Sequence, residues 1–231
     1  MSELSPLILA LDVEDMERAL WLVEETSEFV DVYKVGPILF VKYGPRIVEE
    51  VAKRGKKVFL DLKFHDIPNT VRKAVESASS MGVYLLTVHL SGGRRMLEAA
   101  LSGKSHGTPL ILGVSVLTSM DERDLWEVGI ECGVGDQVAR LVSIGKRAGI
   151  DGFVCSTQEI SLVKDLVPDA LLVVPGVRPA GSSLGDQKRV ATPSEAVKMG
   201  ADFIVVGRPI YGAESPYLAA RAIVEELSST A

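Results

Sequence analysis

Apolar residues fall along this chain in short dense runs, and between the runs at spacings of three and four. The runs are Leu7 to Leu11, Val30 to Val35, 57 to 61, Tyr84 to Val88, Pro109 to Val114, Gly152 to Cys155, Leu171 to Val174 and Phe203 to Val206. None shows the alternation of a half-buried strand, so each reads as a strand covered on both faces. Helical spacing follows the first run from Glu14 to Glu25, through Met16, Ala19, Leu20 and Val23. Ile38 to Ala52 is mostly helical, with a turn or restart at Tyr43-Gly44-Pro45. Further helices are predicted over Pro68 to Met81, Arg94 to Leu101, Asp121 to Val128, Asp136 to Ala148, a short piece after Thr157, Pro193 to Met199 and Pro216 to Leu227. Eight strands alternating with helices predict an α/β fold, a closed (β/α)8 barrel rather than an open doubly wound sheet. The barrel is expected to form a single catalytic domain over residues 1–231, and Pro179 to Lys188 is expected to be a functional loop.

Composition narrows the class without changing the fold. The chain has 231 residues, 47% apolar and 24% charged, with a formal net charge of -6, which is ordinary for a soluble domain. A pI near 5.2 argues against indiscriminate nucleic-acid binding but leaves room for a local anion pocket. Cys132 and Cys155 have no metal or redox spacing and are read as reduced structural thiols. No stretch reads as a signal peptide or membrane span, so the expectation is a cytoplasmic protein with no membrane partner.

The chemistry concentrates in residues 58–70. An apolar run there carries Asp61, Lys63 and Asp66 before Pro68, which suits the first turn of a helix. At strand period, Asp61 and Lys63 point the same way. In a barrel the residues after each strand meet at one end, so Asp12, Lys34, Asp61, Lys63 and Asp66 can converge. Lys63 then suits a proton donor to a carbanion; a Schiff-base role is the competing one, and neighbouring acids favour the retained ammonium. Gly207 and Arg208 follow the eighth run and Arg178 the seventh, with Gln187 between them, a placement that suggests a phosphate site. His65 and His89 read as hydrogen-bonding or orienting groups, Thr70 as a helix cap or substrate ligand, Thr118 as a turn or substrate residue, and Gly92-Gly93 as a tight turn.

Together these motifs resemble the orotidine 5'-monophosphate decarboxylase family in its common bacterial form. The strongest is Asp61-Leu62-Lys63-Phe64-His65-Asp66-Ile67-Pro68-Asn69-Thr70; Leu9-Ala10-Leu11-Asp12, Lys34-Val35-Gly36, Pro175-Gly176-Val177-Arg178, Gly185-Asp186-Gln187-Lys188-Arg189 and Val206-Gly207-Arg208-Pro209 agree in order. The resemblance implies cofactor-free decarboxylation of orotidine 5'-phosphate to uridine 5'-phosphate by a homodimer with shared active sites. It implies that Lys34, Asp61, Lys63 and the partner chain's copy of Asp66 form the charged array. Asp12, Lys34 and the partner chain's copy of Thr70 would contact ribose, and Thr118 would place the base. Gly207 and Arg208 would grip phosphate, Arg178 would support closure, and Gln187 would bridge phosphate and base. The whole 61–70 segment, Leu62, Phe64, His65, Ile67, Pro68 and Asn69 included, would belong to the substrate site. Two other readings are a metal-dependent phosphosugar decarboxylase or aldolase on the same barrel, and a non-enzymatic nucleotide-phosphate sensor.

Overall fold

A computed structural model describes residues 4–179 and 191–229. Eight parallel strands close in sequence order into a barrel: β1 (Leu7–Ala10), β2 (Val32–Val35), β3 (Lys57–Phe64), β4 (Leu85–His89), β5 (Leu110–Val114), β6 (Gly152–Val154), β7 (Leu171–Pro175) and β8 (Phe203–Val206). The outer helices are α1 (Met16–Thr26), α2 (Pro37–Tyr43), α3 (Pro45–Lys53), α4 (Pro68–Ser80), α5 (Gly93–Ser102), α6 (Glu122–Glu127), α7 (Val134–Ala148), α8 (Ile160–Leu166), α9 (Pro193–Lys198), α10 (Arg208–Tyr211) and α11 (Pro216–Ser228). Short 3-10 turns at Leu90–Gly92 and Thr157–Glu159 lead into α5 and α8.

Local chemistry sets these boundaries. Asp15 caps α1 by accepting the Arg18 N–H at 3.0 Å. Asp121 and Asp124 form a reciprocal capping box on α6, and Thr192 and Glu195 form another on α9. The expected restart near residue 44 is real: Gly44 takes φ 58, which glycine adopts without steric cost, and Pro45 opens α3.

Strand alternation sorts the core into two parts. Ile8, Val32, Phe59, Leu85, Leu112, Val173, Phe203 and Val205 belong to a cluster that fills the barrel. Neighbours such as Leu7, Tyr33, Val58, Leu86 and Ile204 pack in the larger cluster with the helices. The inward series continues two residues further along several strands, where polar groups replace apolar ones: Lys34 follows Val32, Asp61 follows Phe59 and Thr87 follows Leu85. Apolar packing thus gives way to charge at the C-terminal end of the barrel, where such folds place their chemistry.

Two expectations need correction. The third strand does not stop at residue 61; it runs to Phe64 with a register shift between Leu60 and Phe64. The residues after β8 are not only loop, because Arg208 begins the one-turn helix α10.

Candidate active site

The barrel's C-terminal end holds a cavity of about 280 Å3 lined by Asp12, Lys34, Asp61, Lys63, Thr118, Arg178, Gly207 and Arg208, among others. Val154, Val173 and Val205 contribute apolar walls. Residues from six separate strand ends or following loops therefore meet, as the sequence reading expected of most of them.

The charges alternate in space. Lys34 Nζ lies 2.9 Å from Asp12 Oδ1 and 3.6 Å from Asp61 Oδ2. Lys63 Nζ lies 2.9 Å from Asp61 Oδ1. The side chains of Lys34 and Asp61 are each only 12% exposed, so neither charge could be left uncompensated at small cost. Burial pushes the Asp61 carboxyl up. The attraction of Lys34 and Lys63, with hydrogen bonds from Lys63 and Thr87, outweighs it and holds the carboxyl below its ordinary value. Asp61 is thus a fixed anion between two ammonium groups. Gly36 makes room for the outer pair: a Cβ there would sit 3.3 Å from Lys34 Nζ and 3.4 Å from Asp12 Oδ1.

Asp61 and Lys63 do face each other, but not by regular pleating. Lys63 has φ 51, a left-handed conformation rare for a residue with a side chain. It lies within the irregular part of β3, and its backbone N–H is bonded to the Thr87 hydroxyl at 2.9 Å. The expected juxtaposition is therefore correct and its expected cause is not.

Leu62, Phe64, His65, Asp66, Ile67, Pro68, Asn69 and Thr70 do not line their own chain's cavity. Asp66 is exposed and its Oδ1 accepts the Ile67 N–H at 2.6 Å. The N-cap of α4 is Ile67, with no side-chain cap bond, so Thr70 is not the cap of that helix. His65 and His89 stand with ring centroids 5.5 Å apart. Burial holds His89 below its ordinary imidazole value, reinforced by His65 and Lys63 and opposed by Asp61. A Cβ on Gly92 would collide with Met96, and Gly93 has φ 77, so this pair serves as the expected tight turn.

At the opposite wall, the Arg178 N–H donates to the Ala191 carbonyl at 3.0 Å, while the buried Arg178 Nε has no hydrogen-bond partner among the described residues. A buried guanidinium N–H turned toward a cavity is well suited to an anionic ligand. Arg208 lines the same cavity. Gly207 is backed by Ala10 and Tyr211, at 3.4 Å and 3.3 Å from where a Cβ would stand. Gln187 lies outside the described residues. Cys155 touches the cavity, but burial pushes its thiol up, consistent with an inert structural role. Among the described residues, no group of three or more His, Cys, Asp or Glu is arranged to hold a metal ion. Thr87 is the polar group the sequence reading missed. A threonine inside an apolar strand run gives no local sign that its hydroxyl serves an acid on the next strand.

A family model described as orotidine 5'-phosphate decarboxylase / HUMPS family matches residues 5–223. The orotidine 5'-phosphate decarboxylase of Aliivibrio fischeri is 48% identical over 213 residues, covering 90% of this chain and 91% of the relative. That of Actinobacillus succinogenes is 47% identical over 229 residues, covering 97% and 99%. Among solved structures, orotidine 5'-phosphate decarboxylase from Lactobacillus acidophilus superposes with a TM-score of 0.84 at 34% identity, covering 96% of this chain and 99% of that one. The matched residues include every strand of the barrel and all of the charged array, and the chain belongs to the orotidine 5'-phosphate decarboxylase / HUMPS family.

Proposed function

We propose that orotidine 5'-phosphate binds in this cavity with C6 of its pyrimidine facing Lys63 and its phosphate toward Gly207, Arg208 and Arg178. The chain is an orotidine 5'-phosphate decarboxylase, a carboxy-lyase of pyrimidine biosynthesis that forms uridine 5'-phosphate and carbon dioxide. Breaking the C6–carboxyl bond leaves its electron pair on C6. The Lys63 ammonium stabilises that developing charge and supplies the proton that replaces carbon dioxide. The observation that carries this assignment is the ion pair of Lys63 with Asp61 at 2.9 Å on the cavity wall, where an ammonium is held in place as a donor. Asp61 orients the ammonium, and Lys34 bridges Asp61 to Asp12 on the ribose side. Thr118 and Gln187 position the base, and closure around the phosphate holds the ring against the array. No metal or organic cofactor enters this scheme.

In the same reading the whole barrel acts as one catalytic domain, and the working unit is a homodimer. The copy of Asp66 from the partner chain, with the Ile67 to Thr70 segment, would complete each site. Two features support this. The 65–70 segment is largely exposed and absent from its own cavity, and apolar side chains are exposed beside it and on α2: Ile67 at 67%, Ile38 at 48% and Val41 at 85%. The enzyme is placed in the cytoplasm with its nucleotide substrate. The deciding experiment is a chelator-treated assay that follows orotidine 5'-phosphate absorbance and carbon dioxide release together. Full turnover without added metal is expected. Activity lost on chelation and restored by a divalent metal would instead favour the metal-dependent phosphosugar chemistry of the same barrel.

A further inference from the structure

We propose that Thr87 is a positioning residue for the decarboxylation, a buried hydroxyl that fixes both the backbone of Lys63 and the rotamer of Asp61. This role rests on the assignment of Lys63 and Asp61 made above. Thr87 is fully buried in β4, between Leu86 and Val88. A hydroxyl there is costly unless its hydrogen-bonding capacity is used. It is used twice: the hydroxyl donates to Asp61 Oδ1 at 2.9 Å and accepts the Lys63 backbone N–H at 2.9 Å.

The need for such a group follows from the register. Leu60 pairs with Leu86 and Phe64 with Val88, so β3 advances 64 − 60 = 4 residues while β4 advances 88 − 86 = 2. Two surplus residues must leave the ladder, and Thr87 is the one β4 residue opposite them. Within that excursion Lys63 adopts φ 51, a conformation that costs roughly 1–3 kcal/mol and persists only where the surroundings enforce it. The Thr87 oxygen supplies an acceptor for a backbone donor that the disrupted ladder leaves to a side chain. The same hydroxyl's proton holds Oδ1 of Asp61, the oxygen that also receives Lys63 Nζ, while Oδ2 faces Lys34. One atom thus sets the direction from which the ammonium leaves the strand and the carboxylate it meets. Valine has the same shape and can do neither; serine can do both.

The test measures kcat, KM and the pH dependence of kcat for Thr87→Val, Thr87→Ala and Thr87→Ser, with Lys63→Ala alongside. Thr87→Val is expected to lower kcat on the order of 100-fold with KM nearly unchanged, because the reacting ammonium is displaced rather than the substrate released. The acid limb of its kcat profile should move to higher pH, since Asp61 loses a hydrogen bond to its charged form. Thr87→Ser should restore most of kcat and return the limb. Should the valine chain not fold, alanine against serine makes the same comparison. A folded Thr87→Val or Thr87→Ala enzyme with normal kcat and an unmoved acid limb overturns the proposal, as does a serine variant as slow as valine. Near-normal turnover by Lys63→Ala would instead remove the reading beneath it, whatever the Thr87 variants do.

Discussion

Lys63 is held by two neighbours of different kinds, a carboxylate on its own strand and a hydroxyl on the next. Truncation to alanine removes the proposed proton source and leaves the barrel's apolar packing untouched. Lys63→Ala should therefore keep a native circular-dichroism spectrum while kcat falls by at least about 100-fold, the scale expected for a lost general acid. Asp61 makes a further prediction through its depressed acidity. A carboxyl held lower in the folded chain than its unfolded value near ~3.9 stabilises the fold above that pH, and the contribution is lost as pH falls toward the folded value. Urea midpoints measured from about pH 5 to pH 2 should accordingly drop more steeply for the wild-type chain than for Asp61→Asn. At this scale the acids and lysines were legible because the period of a strand and the common end of a barrel bring them together. Thr87 was not, since its significance arises from two surplus residues on a neighbouring strand.

Elements carry the second set of constraints. Gly152 lies in β6 where an added Cβ would meet the Leu171 carbonyl and the Leu112 side chain. The backbone oxygen cannot turn aside as a flexible side chain would. Gly152→Ala should cost about 1–3 kcal/mol, read as a lowered urea midpoint. Gly36 is different, because its neighbours are the Lys34–Asp12 pair itself. Gly36→Ala should fold normally yet raise KM by roughly tenfold, as the pair separates on the proposed ribose side. The turn between α2 and α3 was readable from Tyr43-Gly44-Pro45, since glycine and proline act locally. The extension of β3 to Phe64 and the single turn of α10 were not. In the first, polar residues continue a strand because they face a cavity; in the second, Gly207-Arg208-Pro209 has too few residues to show a helical period.

For the molecule as a whole, the barrel was written in the eightfold recurrence of apolar runs, whereas the completion of a site by a second chain leaves no periodic trace. If the proposed homodimer shares its sites, Lys63→Ala and Asp66→Asn chains should each be nearly inactive alone. Mixed and allowed to exchange, half the dimers would be hybrids with one intact site, so about a quarter of wild-type activity should return. Failure to complement, with hybrid dimers confirmed by mass, would confine each site to a single chain. The left-handed backbone at Lys63 has one more consequence. Any residue with a side chain is disfavoured there, so Lys63→Gly should unfold at higher urea than Lys63→Ala, by about 1 kcal/mol, although both would be inert. Selection for stability alone would therefore erase the lysine, and a thermostabilising screen blind to turnover should recover glycine at this one position.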